Sequence, residues 1–130
     1  MLYMENDIDM QTGTGGGLLK GLKRMITGES FFITSFTNNG NMKRKLAFAA
    51  PYPGKIIPVH LAEIGGELIA QKDSFLCAAK GVSVGIAFNK RIGAGFFGGE
   101  GFIMQRLQGD GWAFLNAGGN IHERQLAPGE

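Results

Sequence analysis

Gly28-Glu29-Ser30-Phe31-Phe32-Ile33 is followed, 71 residues later, by Gly99-Glu100-Gly101-Phe102-Ile103-Met104, and this recurrence decides the predicted fold. At the same offset Gly40 falls on Gly111, so one predicted turn coincides with another. Self-similarity at a fixed offset indicates a duplicated structural unit. We therefore expect two copies of one unit within the 130 residues.

Outward from this stretch the match continues in both directions. After an excess of five residues in the first copy, the match resumes at a smaller offset. Because the first residues resemble the middle of a unit and the last ones resemble the opening of another, we expect a fragment of a longer repeat protein. The matched segments are Phe36 with Leu107, Ala47-Phe48 with Ala113-Phe114, Ile56 with Ile121, Leu61-Ala62 with Leu126-Ala127, and Met1-Leu2-Tyr3-Met4 with Phe75-Leu76-Cys77-Ala78.

Short runs of β-branched and aromatic residues alternate with glycine-rich turns, which is typical of an all-β protein. Glycine makes up 22 of the 130 residues without a Gly-X-Y period, so we assign it to tight turns. Hairpins are predicted across Lys80-Gly81 and Gly109-Asp110-Gly111, and the phenylalanines Phe31, Phe32, Phe96 and Phe97 are predicted to lie in the core. The predicted strands are 31–37, 46–49, 55–61, 67–71, 75–79, 82–88, 101–108, 112–117 and 121–124.

The charge of the chain is uneven. Residues 11–60 hold seven Lys or Arg and one acid, and the rest holds six bases and ten acids, so +6 and −4 give the net +2. Leu18 to Ile26 has apolar side chains at helical spacing, and a short surface helix and an irregular loop fit it equally well. A solvated face, an anionic membrane surface and a nucleic-acid backbone all suit such charge. The candidate anion-binding residues are Lys20, Lys23, Arg24, Lys43, Arg44 and Lys45.

Each candidate chemical site lacks a necessary part. The run 93–98 matches Gly-x-Gly-x-x-Gly, but strand-like residues follow it where a dinucleotide site needs a helix. His60 and His122 lie at no ligand spacing from Cys77, the single cysteine, and a metal site needs three or four ligands. We therefore expect no catalytic residue, no metal site and no cofactor, and we expect Cys77 to be an inert residue of an apolar strand.

Two glutamates recur after glycine in the two copies, and Glu67 and Glu130 open units in a similar way. Recurrence at equivalent positions favours a structural task, in which each carboxylate accepts backbone N–H groups at a turn. A symmetric pair of catalytic carboxylates is the alternative. The predicted structural turn residues are Gly28, Glu29, Gly99 and Glu100.

Four landmarks give the chain a family resemblance: residues 21–32, 49–56, 71–76 and 95–102. Together they resemble the prokaryotic branch of the altered-inheritance-of-mitochondria family, over essentially the whole chain. The resemblance implies a fold similar to the trp RNA-binding attenuation protein, in which a double-stranded β-helix unit is repeated three times about a pseudo-threefold axis. About two units would be present here, since family members are longer. Bacterial members have no established activity, eukaryotic relatives are mitochondrial and linked to inner-membrane organisation, and the family defines no functional residues.

The functional expectation is a non-enzymatic structural or scaffold protein that self-associates and contacts an anionic membrane surface or membrane proteins. A nucleic-acid-binding module is the alternative, supported only by fold similarity, and self-association without any other ligand is a third reading. We expect residues 1–60 to hold the end of a first unit with the basic insert, 61–125 a second unit, and 126–130 the start of a third. The single cysteine and the absence of a signal-like start predict a cytoplasmic location, including the periphery of a membrane.

Overall fold

The computed structural model describes residues 1–14, 32–90 and 102–129, and the fold they form is all-β. Each strand predicted between residues 31 and 117 is present there, within two residues of its expected bounds. Two 3-10 turns, η1 and η2, are the helical elements of the described residues. The elements are β1 Tyr3–Met4, β2 Ile8–Thr14, β3 Phe32–Asn38, β4 Leu46–Ala47, β5 Lys55–His60, η1 Leu61–Ile64, β6 Glu67–Gln71, η2 Lys72–Ser74, β7 Phe75–Ala78, β8 Val82–Lys90, β9 Phe102–Gly109 and β10 Trp112–Ala117.

The strand assignment and the burial of one predicted core residue differ from the sequence predictions. β1 and β2 were not predicted, although Ile8 and Met10 alternate with polar residues in β2 as a half-exposed strand requires. Residues 121–124 form no strand. Phe32 was predicted to lie in the core, yet 68% of its surface is exposed, at the start of a strand that pairs with β2 alone among the described residues. No helix among the described residues is long and apolar enough to cross a membrane.

We call β5 to β10, residues 55–117, the second half of the chain. It forms two three-stranded sheets, with the orders β5-β10-β7 and β6-β9-β8. All of their neighbouring strands are antiparallel. Lys80-Gly81 and Gly109-Asp110-Gly111 are turns, as predicted, but the hairpins are wrong, because the strands on either side of each turn belong to different sheets. Each turn is therefore a corner at which the chain leaves one sheet for the other.

The corners of the second half stack on one another through backbone hydrogen bonds. The N–H of Gly109 donates to the carbonyl of Gly66 at 3.0 Å, and that of Leu61 donates to the carbonyl of Gly111 at 3.1 Å. Gly109 has φ +145°, and a Cβ there would overlap the carbonyl oxygen of Gly81. Only glycine allows this approach of two backbones.

The core of the second half lies between its two sheets. Leu61, Leu107 and Ala113 are fully buried there. Leu61 comes from η1, the turn that joins β5 to β6, so its side chain closes the space between the sheets at the corner. The side chains packed against these three residues are Val59, Leu68, Phe75, Ala78, Val82, Val84 and Leu115.

We call β1 to β4, together with the residues that adjoin them up to β5, the first half of the chain. It forms two two-stranded sheets, β2-β3 and β1-β4. The β2–β3 ladder has seven consecutive pairs, of which the first five run from Ile8↔Asn38 to Thr12↔Thr34. The β8–β9 ladder runs through five consecutive pairs from Val82↔Gly109 to Ile86↔Gln105. Adding 74 to the β2 residue and 71 to the β3 residue of each of these pairs gives the corresponding β8–β9 pair, and both offsets occur among the sequence matches, 74 for Met1 with Phe75 and 71 for Gly40 with Gly111.

The corners and short strands follow the same correspondence. Asp7 has φ +69° and stands, by the offset of 74, where Gly81 has φ +99°. Met4 pairs with Leu46 as Ala78 pairs with Ala113. This register sets the offset between β4 and β10 at 67, so the sequence match of Ala47 with Ala113 was wrong by one residue, and the excess in the first half is four residues.

Candidate assembly site

Two strands of the first half, β3 and β4, have one neighbour each among the described residues, where β9 and β10 of the second half have two. β9 lies between β6 and β8, whereas β3, within the described residues, pairs with β2 alone. β10 lies between β5 and β7, whereas β4 pairs in that part of the chain with β1 alone. A free edge presents unpaired N–H and C=O groups that can accept a further strand. In the second half, β6 pairs with the edge of β9 that corresponds to the open edge of β3, and β5 pairs with the edge of β10 that corresponds to the open edge of β4.

A cavity of about 1260 Å³ lies between the two halves, with mainly apolar walls. In the first half the rings of Phe36 and Phe48 meet edge to face there, with their centroids 5.5 Å apart. By ladder position, five cavity residues of the first half correspond to residues that surround Leu61 in the second half. These pairs are Met1 with Phe75, Met10 with Val84, Phe36 with Leu107, Leu46 with Ala113, and Phe48 with Leu115.

The cavity walls also carry polar residues, among them Ser35 and Asn38 of β3 and the lysines Lys72 and Lys80. Gln105 is 3% exposed, and its Oε1 is buried without a hydrogen-bond partner among the described residues, so it can accept one hydrogen bond from an occupant. Cys77 also lines the cavity; burial raises the pKa of its thiol, while the positive chain N-terminus opposes that shift. A protonated, half-buried thiol fits the inert residue that the sequence predicted.

The predicted anion-binding residues are placed in different settings. Nη2 of Arg44 donates to Oδ2 of Asp7, so this guanidinium serves the corner between β1 and β2. The backbone N–H of Lys45 donates to Oε2 of Glu5 at 2.7 Å, at the same corner. The side chains of Lys43 and Lys45 are exposed. Lys20, Lys23 and Arg24 lie outside the described residues, as does the whole helical stretch 18–26.

Of the glutamates predicted to lie at turns, Glu67 alone is among the described residues. Gly28, Glu29, Gly99 and Glu100, like the glycine motif at 93–98, lie outside the described residues. Glu67, which was expected to accept backbone N–H groups at a turn, instead accepts from Nε2 of Gln108 at 2.7 Å and lies 3.6 Å from Nε of Arg106. It does so because Glu67 and Gln108 are opposite each other in the β6–β9 ladder.

The two histidines lie in different settings, His60 at the end of a strand and His122 in a segment that forms no strand. His60 is the last residue of β5 and its ring stacks on Trp112, its ladder partner, with centroids 4.8 Å apart. Its Nδ1 lies 3.0 Å from Oε1 of Glu63. His122 is exposed. Residues 1–14, 32–90 and 102–129 contain no cluster of three or more His, Cys, Asp or Glu that could hold a metal ion.

Sequence reasoning missed two residues that shape this site. Leu61 matched Leu126 in the repeat, but nothing local showed that it fills the space between two sheets. Asp7 adopts a left-handed conformation at a corner and binds Arg44. Aspartate tolerates this conformation better than most residues, so its match with Gly81 at the offset of 74 was the available signal.

Comparison with known proteins gives two findings. An uncharacterized protein of Streptococcus pyogenes serotype M6 is 31% identical over 138 residues, which cover 99% of this chain and 53% of that relative. The chain thus spans about half the length of the curated relative. The family described as "Mitochondrial biogenesis AIM24" matches residues 1–130. From this full-length match we conclude that the chain belongs to the mitochondrial biogenesis AIM24 family.

Proposed function

We propose that this chain is a structural, non-catalytic β-repeat protein that acts by self-association and by contact with an anionic membrane surface or with membrane proteins. Its two halves are proposed to be copies of one double-stranded β-helix unit, similar to that of the trp RNA-binding attenuation protein. The shared ladder register of β2–β3 and β8–β9 supports the duplication. The left-handed corners at Asp7 and Gly81 support it as well.

The free edges of β3 and β4 carry the self-association part of the proposal. Each edge has the backbone geometry that, in the second half, already pairs with another strand. Pairing it satisfies N–H and C=O groups and covers the apolar cavity beside it. A protein whose principal exposed features are unpaired strands and an apolar cavity is suited to assembly.

Sedimentation equilibrium over a wide concentration range tests self-association directly. We expect a mass that rises with concentration, because edge pairing between copies follows mass action. A constant monomer mass up to roughly 100 µM, an affinity weaker than about 5.5 kcal/mol, would overturn this part of the proposal.

The membrane part of the proposal is supported by a surface at the corner between β3 and β4. Met42 is 63% exposed there, and the exposed lysines Lys43 and Lys45 follow it in the chain. An apolar side chain beside cations suits an anionic lipid surface, where each lysine contributes about 1 kcal/mol. The sequence places Lys20, Lys23 and Arg24 in the same basic half.

Co-sedimentation with vesicles containing phosphatidylserine tests this contact. We expect the double variant Lys43→Glu/Lys45→Glu to lose at least about thirtyfold in binding, which corresponds to the loss of two lysine contributions of about 1 kcal/mol each. The matched control reverses two other exposed lysines, Lys55→Glu/Lys72→Glu, and should bind more tightly than the first variant. Equal pelleting of both variants and the wild type would exclude the Met42 surface, and preferential binding to RNA with a steep salt dependence would favour the nucleic-acid alternative.

A further inference from the structure

We propose that Asn39, at the corner between β3 and β4, is a site of spontaneous deamidation whose rate is set by the side chain of Asn38. We propose further that the new carboxylate weakens the contact of the adjacent Met42 surface with anionic lipids. This second clause rests on the membrane contact proposed above, whereas the modification itself does not depend on it.

The chemistry of the site follows from the pair Asn39-Gly40. Glycine has no side chain to hinder attack of its backbone nitrogen on the preceding side chain. The nitrogen of Gly40 loses its proton and forms a bond to Cγ of Asn39, and the side-chain nitrogen leaves as ammonia. Water then opens the five-membered imide to aspartate or isoaspartate. One amide and one water thus give one carboxylate and one ammonium ion, and the exposure of Asn39 gives water access to it.

The attacking nitrogen is held in a hydrogen bond. The N–H of Gly40 donates to Oδ1 of Asn38 at 3.0 Å. Nδ2 of Asn38 donates to the carbonyl oxygen of Met42 at 2.8 Å, which orients the amide for this task. Because the nitrogen of Gly40 must lose its proton to attack, breaking the bond to Asn38 is part of the barrier. A hydrogen bond of about 1 kcal/mol slows the reaction by about fivefold.

The backbone of the reacting pair is also anchored to the corner between β1 and β2. The N–H of Asn39 donates to the carbonyl oxygen of Asp7 at 2.9 Å. A Cβ at Gly40 would lie 3.2 Å from Cβ of Asp7, so the two corners pack closely together. Asp7 in turn accepts a hydrogen bond from Arg44. We therefore expect the native protein to deamidate more slowly than the chain unfolded in urea, in which these contacts are absent.

The product of the reaction lies beside the surface proposed to contact lipid. The hydrogen bond from Asn38 to the backbone of Met42 brings the two ends of the corner together, and the exposed Lys43 follows Met42. A carboxylate at residue 39 therefore places a negative charge next to these cations. A charge near an anionic membrane contributes about 1 kcal/mol, which corresponds to a change of about fivefold in binding. Deamidation thus weakens the membrane contact as the protein ages.

Peptide mapping of protein aged at mildly alkaline pH tests the site. We expect deamidation of Asn39 to be about fivefold faster in Asn38→Ala than in the wild type, because the bond to the Gly40 N–H is lost. The matched variant Asn38→Asp retains an acceptor oxygen for that N–H but loses the donor to Met42, and it should not react faster than the wild type. Equal acceleration in both variants would overturn the role of Asn38. An intact Asn39 in the wild type and in both variants would overturn the site itself.

Co-sedimentation with phosphatidylserine vesicles tests the consequence of the new charge. We expect Asn39→Asp to bind about fivefold more weakly than the wild type. Asn120→Asp makes the same change of charge at another exposed asparagine and should bind like the wild type. Ageing should weaken the binding of the wild type and leave that of Asn39→Gln unchanged, because the longer side chain cannot form the five-membered imide.

The two experiments separate this inference from the proposed function. If the wild type binds the vesicles and Asn39→Asp binds them equally well, the charge effect fails, although the membrane contact stands. If the wild type does not bind, the membrane contact and its regulation both fail, and the peptide map decides the modification on its own.

Discussion

At the scale of single residues, the fold depends on positions where the backbones of two corners touch. Gly109 is the clearest case, because its positive φ and its contact with the Gly81 carbonyl both exclude a side chain. Its N–H also bonds the corner at Gly66. A side chain here would separate three corners at once, and both sheets of the second half depend on them.

Gly109→Ala should therefore destabilise the protein by at least about 2 kcal/mol, since a strained left-handed residue alone costs about 1–3 kcal/mol. Urea unfolding followed by circular dichroism measures the loss. The matched control is Gly13→Ala, where an added Cβ meets no atom within 4 Å, and it should be neutral or slightly stabilising. Equal losses in the two variants would contradict the role given to the stacked corners.

Cys77 offers a second test at this scale. Burial raises the pKa of its thiol, so less thiolate is present at neutral pH than at an exposed cysteine. We expect slower reaction with a thiol reagent at pH 8 than for Cys77→Ser/Tyr52→Cys, whose new thiol replaces an exposed side chain. The difference should narrow as the pH rises through the raised pKa of Cys77. The same shift makes folding stability fall above the ordinary thiol pKa, because unfolding then releases a proton.

At the scale of elements, strands could be read from the sequence and their partners could not. Runs such as residues 67–71 and 112–117 were bounded correctly, because strand preference and turn glycines are local signals. The pairing failed at Lys80-Gly81 and Gly109-Gly111, since a corner between sheets and a hairpin use the same turn residues. The candidate assembly site could not be located from the sequence, because it is defined by strands with a single neighbour among the described residues, and only the arrangement of the sheets reveals which strands these are.

The turn η1 provides the prediction at this scale. Leu61 is fully buried at the corner, whereas Ile64, in the same turn, is 48% exposed. Leu61→Ala should cost about 2–5 kcal/mol, as expected for a buried leucine that leaves a cavity behind. Ile64→Ala, measured in the same urea titration, should cost less than half as much. Similar losses would mean that η1 does not seal the core.

At the scale of the whole molecule, the two halves share a ladder register but differ in completeness. The second half has central strands with neighbours on both sides and a filled core. In the first half, β3 and β4 have one neighbour each among the described residues, and both contribute to the cavity wall, to which Phe75 and Val84 of the second half also belong. Protection of backbone amides follows hydrogen bonding and burial. The halves should therefore open independently of each other to a measurable degree.

Hydrogen exchange checks this expectation. Amides of β9 and β10 should exchange more slowly than those of β3 and β4 by at least about tenfold, a difference of about 1.4 kcal/mol in opening free energy. Raising the protein concentration should narrow the gap, because association covers the edges of the first half. Uniform protection of all four strands in dilute samples would contradict the difference between the halves.

The stacking of His60 on Trp112 has an optical consequence. Trp112 is the sole tryptophan of the chain and lies in β10, the central strand of a complete sheet. Its emission therefore reports on the second half alone, and early loosening of the first half would leave that signal unchanged. The unfolding midpoint recorded by tryptophan fluorescence should lie at a higher temperature than the midpoint recorded by far-ultraviolet circular dichroism. The difference between the two midpoints measures how much earlier the first half unfolds than the second.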